Sequence, residues 1–385
     1  MKKRIYLDYA AATPVDSRAV KAMLSYFNEK FGNTMSLHSF GQEAKQALEE
    51  SREKIAGLMK AKSREIVFTS SATESNNLAL KGVAFANKDK GKHIIISSIE
   101  HPCVIESAKW LEKQGFEITK LNVDKHGLVD SEEVKKMIRK DTVLVSVMHA
   151  NNEIGTIEPI KEIGAVCRKA GVHFHTDATQ SFGKIPIDVN EMNIDLMTAS
   201  SHKMYGPKGA ACLFVRDGVR IEPLLHGGGQ EFRLRASTVN ISSIVGFAKA
   251  CDICGKEMNQ ESKRLSELRD RLISGIDRIE NSFLNGHPIK RLPNNVNVAF
   301  SFVEGESLAI QLDLLGIAVS TGSACSSKKL EPSHVLSAIG LNPKQINGSL
   351  RLTLGRWTKQ EDIDHVLGVL PEAVKRLRKI SPFKK

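Results

Sequence analysis

Short apolar runs and amphipathic stretches alternate along the first two thirds of the chain. Seven runs, "EIVFTS", "KHIIISS", "FEITKLNV", "TVLVSVMHA", "HFHTDAT", "DLMTAS" and "ACLFV", are rich in Val, Ile, Leu or Phe and predict strands. Between several of them lie stretches with helical spacing, such as "GQEAKQALEESREKIAGLMK" and "EPIKEIGAVCRKAG". That alternation predicts crossover units around a mostly parallel sheet, an α/β fold. Ligands of open sheets collect beyond the carboxyl ends of the strands. The unusual polar clusters of this chain each follow a predicted strand. From about Cys251 the texture changes. A long charged helix leads to "VNVAFSF", "GIAVSTGSACSS", "SLRLTLGR" and a final basic helix, which reads as a smaller α+β domain. The expected division is a large domain, residues 16–258, and a small domain made of residues 1–15 with 259–385.

Composition narrows the class. A chain of 385 residues suits one large domain and one smaller one. Its 41% hydrophobic and 26% charged content is ordinary for a globular protein. No window approaches the roughly 18 uninterrupted apolar residues of a membrane span. Asp8 interrupts the opening "MKKRIYLDYAAATPVD" before it could act as a signal segment, so a cytoplasmic protein is expected, with no membrane contact. The net charge of +11 comes without a nucleic-acid module or aromatic–basic interleaving. It therefore reads as solvated surface charge, with no direct nucleic-acid binding. The six cysteines show no disulfide framework, which fits a reducing compartment. Cys251 and Cys254 form a CxxC, but inside the long predicted helix and with no second pair. They read as small residues on neighbouring turns, and no metal site is expected.

The strand-end clusters carry the candidate chemistry. "TSSATESNN" is a hydroxyl-rich turn opening a helix, where free N–H groups and the helix dipole favour an anion. His101 follows the next strand, with Pro102 behind it. "HANNEIG" ends another strand with two asparagines, and "HTDATQS" ends the next with Asp177 and Gln180. An acid at a parallel strand's end is costly to desolvate unless it meets a cation. Lys203, in "TASSHKMYGPKGA", ends the following strand among Ser200, Ser201 and His202. Such an acid and lysine near a phosphate-type turn fit pyridoxal phosphate, which bonds covalently to a lysine while a carboxylate keeps its pyridine nitrogen protonated. Cys325, in "STGSACSS", is either a nucleophile or an ordinary loop cysteine. Arg351 stands inside an alternating apolar strand, where a guanidinium needs a carboxylate partner.

Together these residues resemble the cysteine desulfurases of the NifS/IscS type, within the class V aminotransferases. The shared motifs run nearly end to end: "YLDYAAATPVD", "EIVFTSSATESNNLALKG", "HIIISSIEHPCV", "LVSVMHANNEIGTIEPI", "HTDATQSFGKIPIDV", "SSHKMYGPKG", "HGGGQE", "STGSACSS" and "RLTLGR". The resemblance implies the fold type I of pyridoxal-phosphate transferases, with a mostly parallel seven-stranded sheet and a smaller α+β domain. It implies removal of sulfur from L-cysteine to give alanine and a persulfide on Cys325. It further implies that Lys203 carries pyridoxal 5'-phosphate, Asp177 pairs with the pyridine nitrogen, Gln180 bonds the phenolic oxygen and His101 stacks on the ring. Ala72, Thr73, Ser200 and His202 match phosphate-binding positions, with Thr238 reaching in from the partner of a homodimer. Asn152 would lie against cofactor and substrate, and Arg351 would hold the substrate carboxylate. The sulfur acceptor would be an iron–sulfur scaffold or a thiolation relay. A selenocysteine lyase, an aminotransferase on the same fold and a weakened paralogue acting as a binding protein are the other readings.

One segment departs from the family pattern. Where "QERGLRSGT" is usual, this chain has "QEFRLRAST", so Phe232 and Arg233 replace Arg and Gly, and Ala236 and Ser237 replace Ser and Gly. A side chain at 233 or 237 adopts a positive φ less easily than glycine does. Thr34 and Ala12 replace a proline and a threonine of the usual motifs. The sequence ends on "ISPFKK", and the longer tail that some relatives use to dock the scaffold protein is not expected here.

Overall fold

A computed structural model describes residues 4–321 and 332–381. A short strand β1 (Ile5–Tyr6) precedes the seven predicted runs, which form β2 (Ile66–Thr69), β3 (His93–Ser97), β4 (Glu117–Leu121), β5 (Thr142–Ser146), β6 (His173–Asp177), β7 (Leu196–Ser200) and β8 (Ala211–Val215). These seven make one sheet in the order β2-β8-β7-β6-β5-β3-β4. All neighbours are parallel except β8, which runs antiparallel to both β2 and β7. The expected α/β fold with a mostly parallel seven-stranded sheet is therefore what forms.

Side chains alternate across this sheet with a period of two. Ile66, Phe68, Ile95, Phe174, Met197 and Phe214 pack on one face with helix Ser39–Met59 and the start of helix Ile241–Ile276. Val67, Ile94, Ile96, Leu213 and Val215 pack on the other with helices Ala72–Ala86 and Pro102–Glu112. Because helices cover both faces, both alternating sets must be apolar, which is why the runs read as continuous.

A second core lies around β9 (Ser282–Leu284), β10 (Asn295–Phe300), β11 (Ile317–Ala318) and β12 (Ser349–Thr353). β10 is the centre of an antiparallel sheet with β9 and β12, and β1 pairs in parallel with β11. Val296, Val298, Phe300, Leu350 and Leu352 pack there against helices Gly305–Leu314 and Gln360–Ile380. Helix Ile241–Ile276 serves both cores. Its Phe247, Cys251 and Cys254 enter the first, and Leu265, Leu268 and Leu272 enter the second. At 36 residues it is about 54 Å long. The sequence-based boundary between residues 258 and 259 lies inside this unbroken helix. Burial pushes the Cys254 thiol up to about 11, and that of Cys251 well above its usual value, so both stay protonated.

The departing segment is held by a buried ion pair. Arg52 Nη1 and Nη2 donate to the Glu231 carboxylate at 2.7 and 2.9 Å, and Glu231 also accepts the Phe68 N–H at 2.7 Å. The guanidinium lies between the rings of Phe68 and Phe232, 4.7 and 4.9 Å from their centroids. Thus Phe232, one of the unusual residues, caps the pair from outside. The backbone is strained here. Glu231, Phe232 and Arg233 have φ of 42°, 57° and 66°, and Ser237 has φ of 105°. Positions 233 and 237, where glycine is usual, do adopt positive φ in this chain, and they do so with side chains.

Two further carboxyl groups sit below the strand ends. Glu100 Oε1 accepts the Ser97 hydroxyl at 2.6 Å and the Met148 N–H at 2.7 Å, while its Oε2 is buried with no hydrogen-bond partner. Burial pushes the Glu100 carboxyl up to about 8, so it stays protonated near neutral pH. Glu153, pushed up to about 7 by burial, accepts the Ser333 hydroxyl at 2.5 Å.

Two stability measurements test these features. Ser237→Gly removes a side chain from a φ that L-residues rarely adopt, and should raise unfolding stability by about 1 kcal/mol in a denaturant titration. Glu100 binds its proton more tightly folded than unfolded, so it makes stability fall as pH rises from the ordinary 4.5 towards about 8. Glu100→Gln should flatten the slope of unfolding free energy against pH in that window. An unchanged slope would mean that Glu100 is ionised in the fold.

Candidate active site

The site is built at the edge where six of the seven strands finish. β2 points the same way as β7 because each is antiparallel to β8, so the ends of β2, β3, β4, β5, β6 and β7 share that edge. Asp177 is the last residue of β6 and pairs in register with Thr198 of β7. Lys203 follows β7 on one tight turn, residues Ser201–Lys203. That turn closes on Gly206, where an added Cβ would meet Ser201 Oγ at 2.0 Å and force that hydroxyl to move.

Ala72, Thr73, His101, Asn152, Asp177, Gln180, His202, Lys203 and Arg351 line a single cavity of about 250 Å3 with Ala10, Ala11 and Thr179. Ser200 lies just behind the wall, its hydroxyl 2.9 Å from Nδ1 of His202. Thr238 is exposed on its own chain and does not line this cavity. Cys325 lies outside the described residues.

Each charged group at the cavity is oriented by a specific contact. Asp177 accepts from Asn76 Nδ2 at 2.7 Å and from the Thr179 N–H at 2.9 Å. Lys203 Nζ donates to the carbonyls of Ala10 and Ala11 at 2.7 and 2.6 Å. Gln180 Nε2 donates to the same Ala10 carbonyl at 3.0 Å. Arg351, in β12, pairs with Asp8 at 3.0 Å through Nη2 and donates to the Asn152 carbonyl through Nη1. Its Nε is buried and has no hydrogen-bond partner in the fold. The guanidinium thus has the carboxylate partner its strand position requires and still holds one donor in reserve.

The imidazoles are held neutral. Burial lowers the pKa of His101, and it takes that of His202 to about 4, helped by the nearby Lys203, Lys208 and Lys184 charges. Lys184 is itself buried, donates to the Gln180 carbonyl at 2.8 Å, and is brought by burial to about 7.

These residues fit pyridoxal phosphate. A fixed carboxylate and a lysine amine face one cavity. The N-terminus of helix Ala72–Ala86 opens onto it through Ala72 and Thr73, with Ser71 as its cap, and offers backbone N–H groups to an anion. The unsatisfied Arg351 Nε suits a second anion.

The sequence reading missed Asp8, Asn76, Cys103 and Lys184. Asn76 carried a weak signal, a polar residue among Ser75, Leu78 and Ala79 on the buried stripe of its helix. The contribution of Ala10 and Ala11 was not readable, because it is made by their carbonyls.

Comparison with known proteins shows the family. A family model described as aminotransferase class-V matches residues 5–366. The chain is 53% identical over 385 residues to a protein of Dictyoglomus turgidum named cysteine desulfurase IscS, covering all of this chain and 98% of that one. A solved NifS-like protein superposes with a TM-score of 0.92 at 37% identity, over 97% of this chain and 100% of the other. A structure described as SspA in complex with cysteine superposes with a TM-score of 0.82 at 38% identity, over 92% and 99% of the two chains. A family model that matches residues 5–366, and relatives that match almost the whole chain in sequence and fold, leave one conclusion: this chain belongs to the class-V aminotransferase family.

Proposed function

We propose that this protein is a pyridoxal 5'-phosphate-dependent cysteine desulfurase, which converts L-cysteine to L-alanine and leaves a persulfide on Cys325. The observation that carries this reading is that Lys203, Asp177 and Arg351 line one cavity beyond the strand ends. The relative named cysteine desulfurase and the neighbour solved with cysteine support the substrate. When bound, the cofactor supplies an electron sink for the pair at Cα, which weakens the bond from Cβ to sulfur.

The residues of the chain divide the remaining work. Lys203 Nζ, now resting on two carbonyls, is the point of covalent attachment and afterwards carries the α-proton. Asp177 would offer its carboxylate to the pyridine N–H, and Gln180 would use the second N–H of its Nε2 for the phenolic oxygen. His101 would stack on the ring. Ala72, Thr73, Ser200 and His202 would hold the phosphate, with the helix dipole in support. Asn152 and Arg351 take the substrate, the carboxylate of L-cysteine satisfying the buried Arg351 Nε. The Cys325 thiolate then attacks the substrate sulfur. The S–S bond forms as the C–S bond breaks, and the electron pair left on carbon takes up a proton to give the methyl group of alanine.

A homodimer completes the site in this reading. Thr238, exposed on its own chain, would reach the phosphate held by the second copy. Leu24, Phe27, Phe31, Met35 and Leu37 stand exposed along residues 24–37, with Leu37 94% exposed, an apolar patch suited to a partner surface. The persulfide calls for a thiol-bearing acceptor protein, an iron–sulfur scaffold or a thiolation relay, in the cytoplasm. No helix among the described residues is long and apolar enough to cross a membrane.

The direct test is to load the protein with pyridoxal phosphate, add L-cysteine and a thiol reductant, and measure sulfide and alanine together. Equimolar release is expected, and a cofactor absorbance band without either product would overturn the reading. Cys325→Ala should keep that band and lose sulfide release, whereas unchanged turnover would remove Cys325 from the mechanism. Arg351→Lys keeps the charge but loses the fork, and should lower kcat/KM for L-cysteine about 100-fold, chiefly through KM. An unaltered KM would show that the carboxylate binds elsewhere.

A further inference from the structure

An unbroken run of hydrogen bonds joins the two groups assigned to the cofactor's ring. The Asn76 amide donates one hydrogen to Asp177 Oδ2 at 2.7 Å and the other to Cys103 Sγ at 3.1 Å. Cys103 Sγ lies 3.0 Å from Nδ1 of His101, which also accepts the Cys103 backbone N–H at 3.2 Å. His101 is the cap of helix Pro102–Glu112, with Pro102 at its first position, so the backbone bond to Nδ1 is built into the helix start.

Each link has only one workable direction. Asn76 is fully buried, and turning its amide over would set its carbonyl oxygen against the Asp177 carboxylate. The sulfur therefore receives a hydrogen from Asn76. Burial pushes the Cys103 thiol up to about 12, so it keeps its proton and has one to give. The Thr73 hydroxyl also bonds this sulfur, and Nδ1 of His101, which already accepts the Cys103 N–H and so leaves the ring's own hydrogen on Nε2, is placed to accept the thiol hydrogen.

We propose that Cys103, held by Asn76, is a positioning residue whose thiol joins its backbone N–H in keeping Nδ1 of His101 unprotonated and ties the ring to the Asp177 carboxylate. The inference rests on the assignment of His101 and Asp177 to the cofactor. Protonating the ring at Nδ1 would break two hydrogen bonds, so the ring remains neutral. The groups facing His101 are Asp177 from β6, Lys203 beyond β7 and His334 from helix His334–Ala338. Asp177 favours the charged ring, and Lys203 and His334 oppose it. Glu100, the preceding residue, is protonated near neutral pH and adds no charge.

The test reads the ring itself. Protein labelled with 15N-histidine and loaded with pyridoxal phosphate is examined by long-range 15N–1H correlation, with His101→Gln identifying the signal. The native protein should show the Nε2–H tautomer. Cys103→Ala keeps the backbone bond to Nδ1, and with it the Nε2–H tautomer, but loses the thiol's donation and should raise the ring's titration midpoint by about one unit. Cys103→Ser should restore the midpoint, because a hydroxyl donates as the thiol does. A Cys103→Ala protein with an unchanged midpoint overturns the inference, as does a serine variant that behaves like alanine. The same spectra without cofactor keep this outcome separate from the function: absence of a cofactor absorbance band defeats the assigned chemistry, while the midpoint is still read.

Discussion

The parallel pairing of β6 with β7 is the constraint from which the site follows. Two parallel neighbours in register must deliver their carboxyl ends to the same edge, and here those ends carry an acid and a lysine. Both groups are taken partly or wholly out of water, so each needs fixed partners. Asp177 finds them in Asn76 and Thr179, and Lys203 finds them in the carbonyls of Ala10 and Ala11. The helices and the N-terminal segment are thus held in place by the demands of two charges as well as by apolar packing.

Arg351 applies the same demand from the second core. A guanidinium in a buried strand has to be met by an anion, and Asp8 reaches it because β1 joins β11 in the small sheet. The segment that answers Arg351 goes on to supply the carbonyls that hold Lys203. One stretch of backbone therefore sets the substrate end and the cofactor end of the cavity relative to each other. Thr353 strengthens this arrangement by accepting the Ala10 N–H through its hydroxyl at 2.9 Å.

Most of this was legible in the sequence where local composition and final environment coincide. Most strands of the large sheet could be read because burial on both faces makes them apolar, while β4 is a partly exposed edge strand and β6 carries the polar residues that lead into the site. Lys203, Asp177, His101 and Arg351 stood out as polar residues at strand ends or inside a strand. The short strands β1, β9 and β11 were less visible, since two or three residues carry no periodicity. Asn76 and Cys103 were hidden for a different reason. Their meaning lies in contacts between helices 27 residues apart in sequence, and neither residue type announces such a contact. The departing segment was recognised by its missing glycines, but its compensation, the Phe232 ring over Arg52, depends on a helix far upstream.

The helix shared by the two cores has a mechanical consequence. The two cores are tied through this rod, through the N-terminal segment that crosses from β1 to the Lys203 turn, and through residues 151–157, whose Gly155 carbonyl and Ile157 N–H bond Leu292 and Lys290 and whose Ile154 carbonyl accepts from Arg291. The rod contains no proline, the usual cause of a bend. Ties at three separate places oppose a rotation about any one of them. The span between Arg351 and Lys203 is thereby held, and acts as a gauge for the substrate.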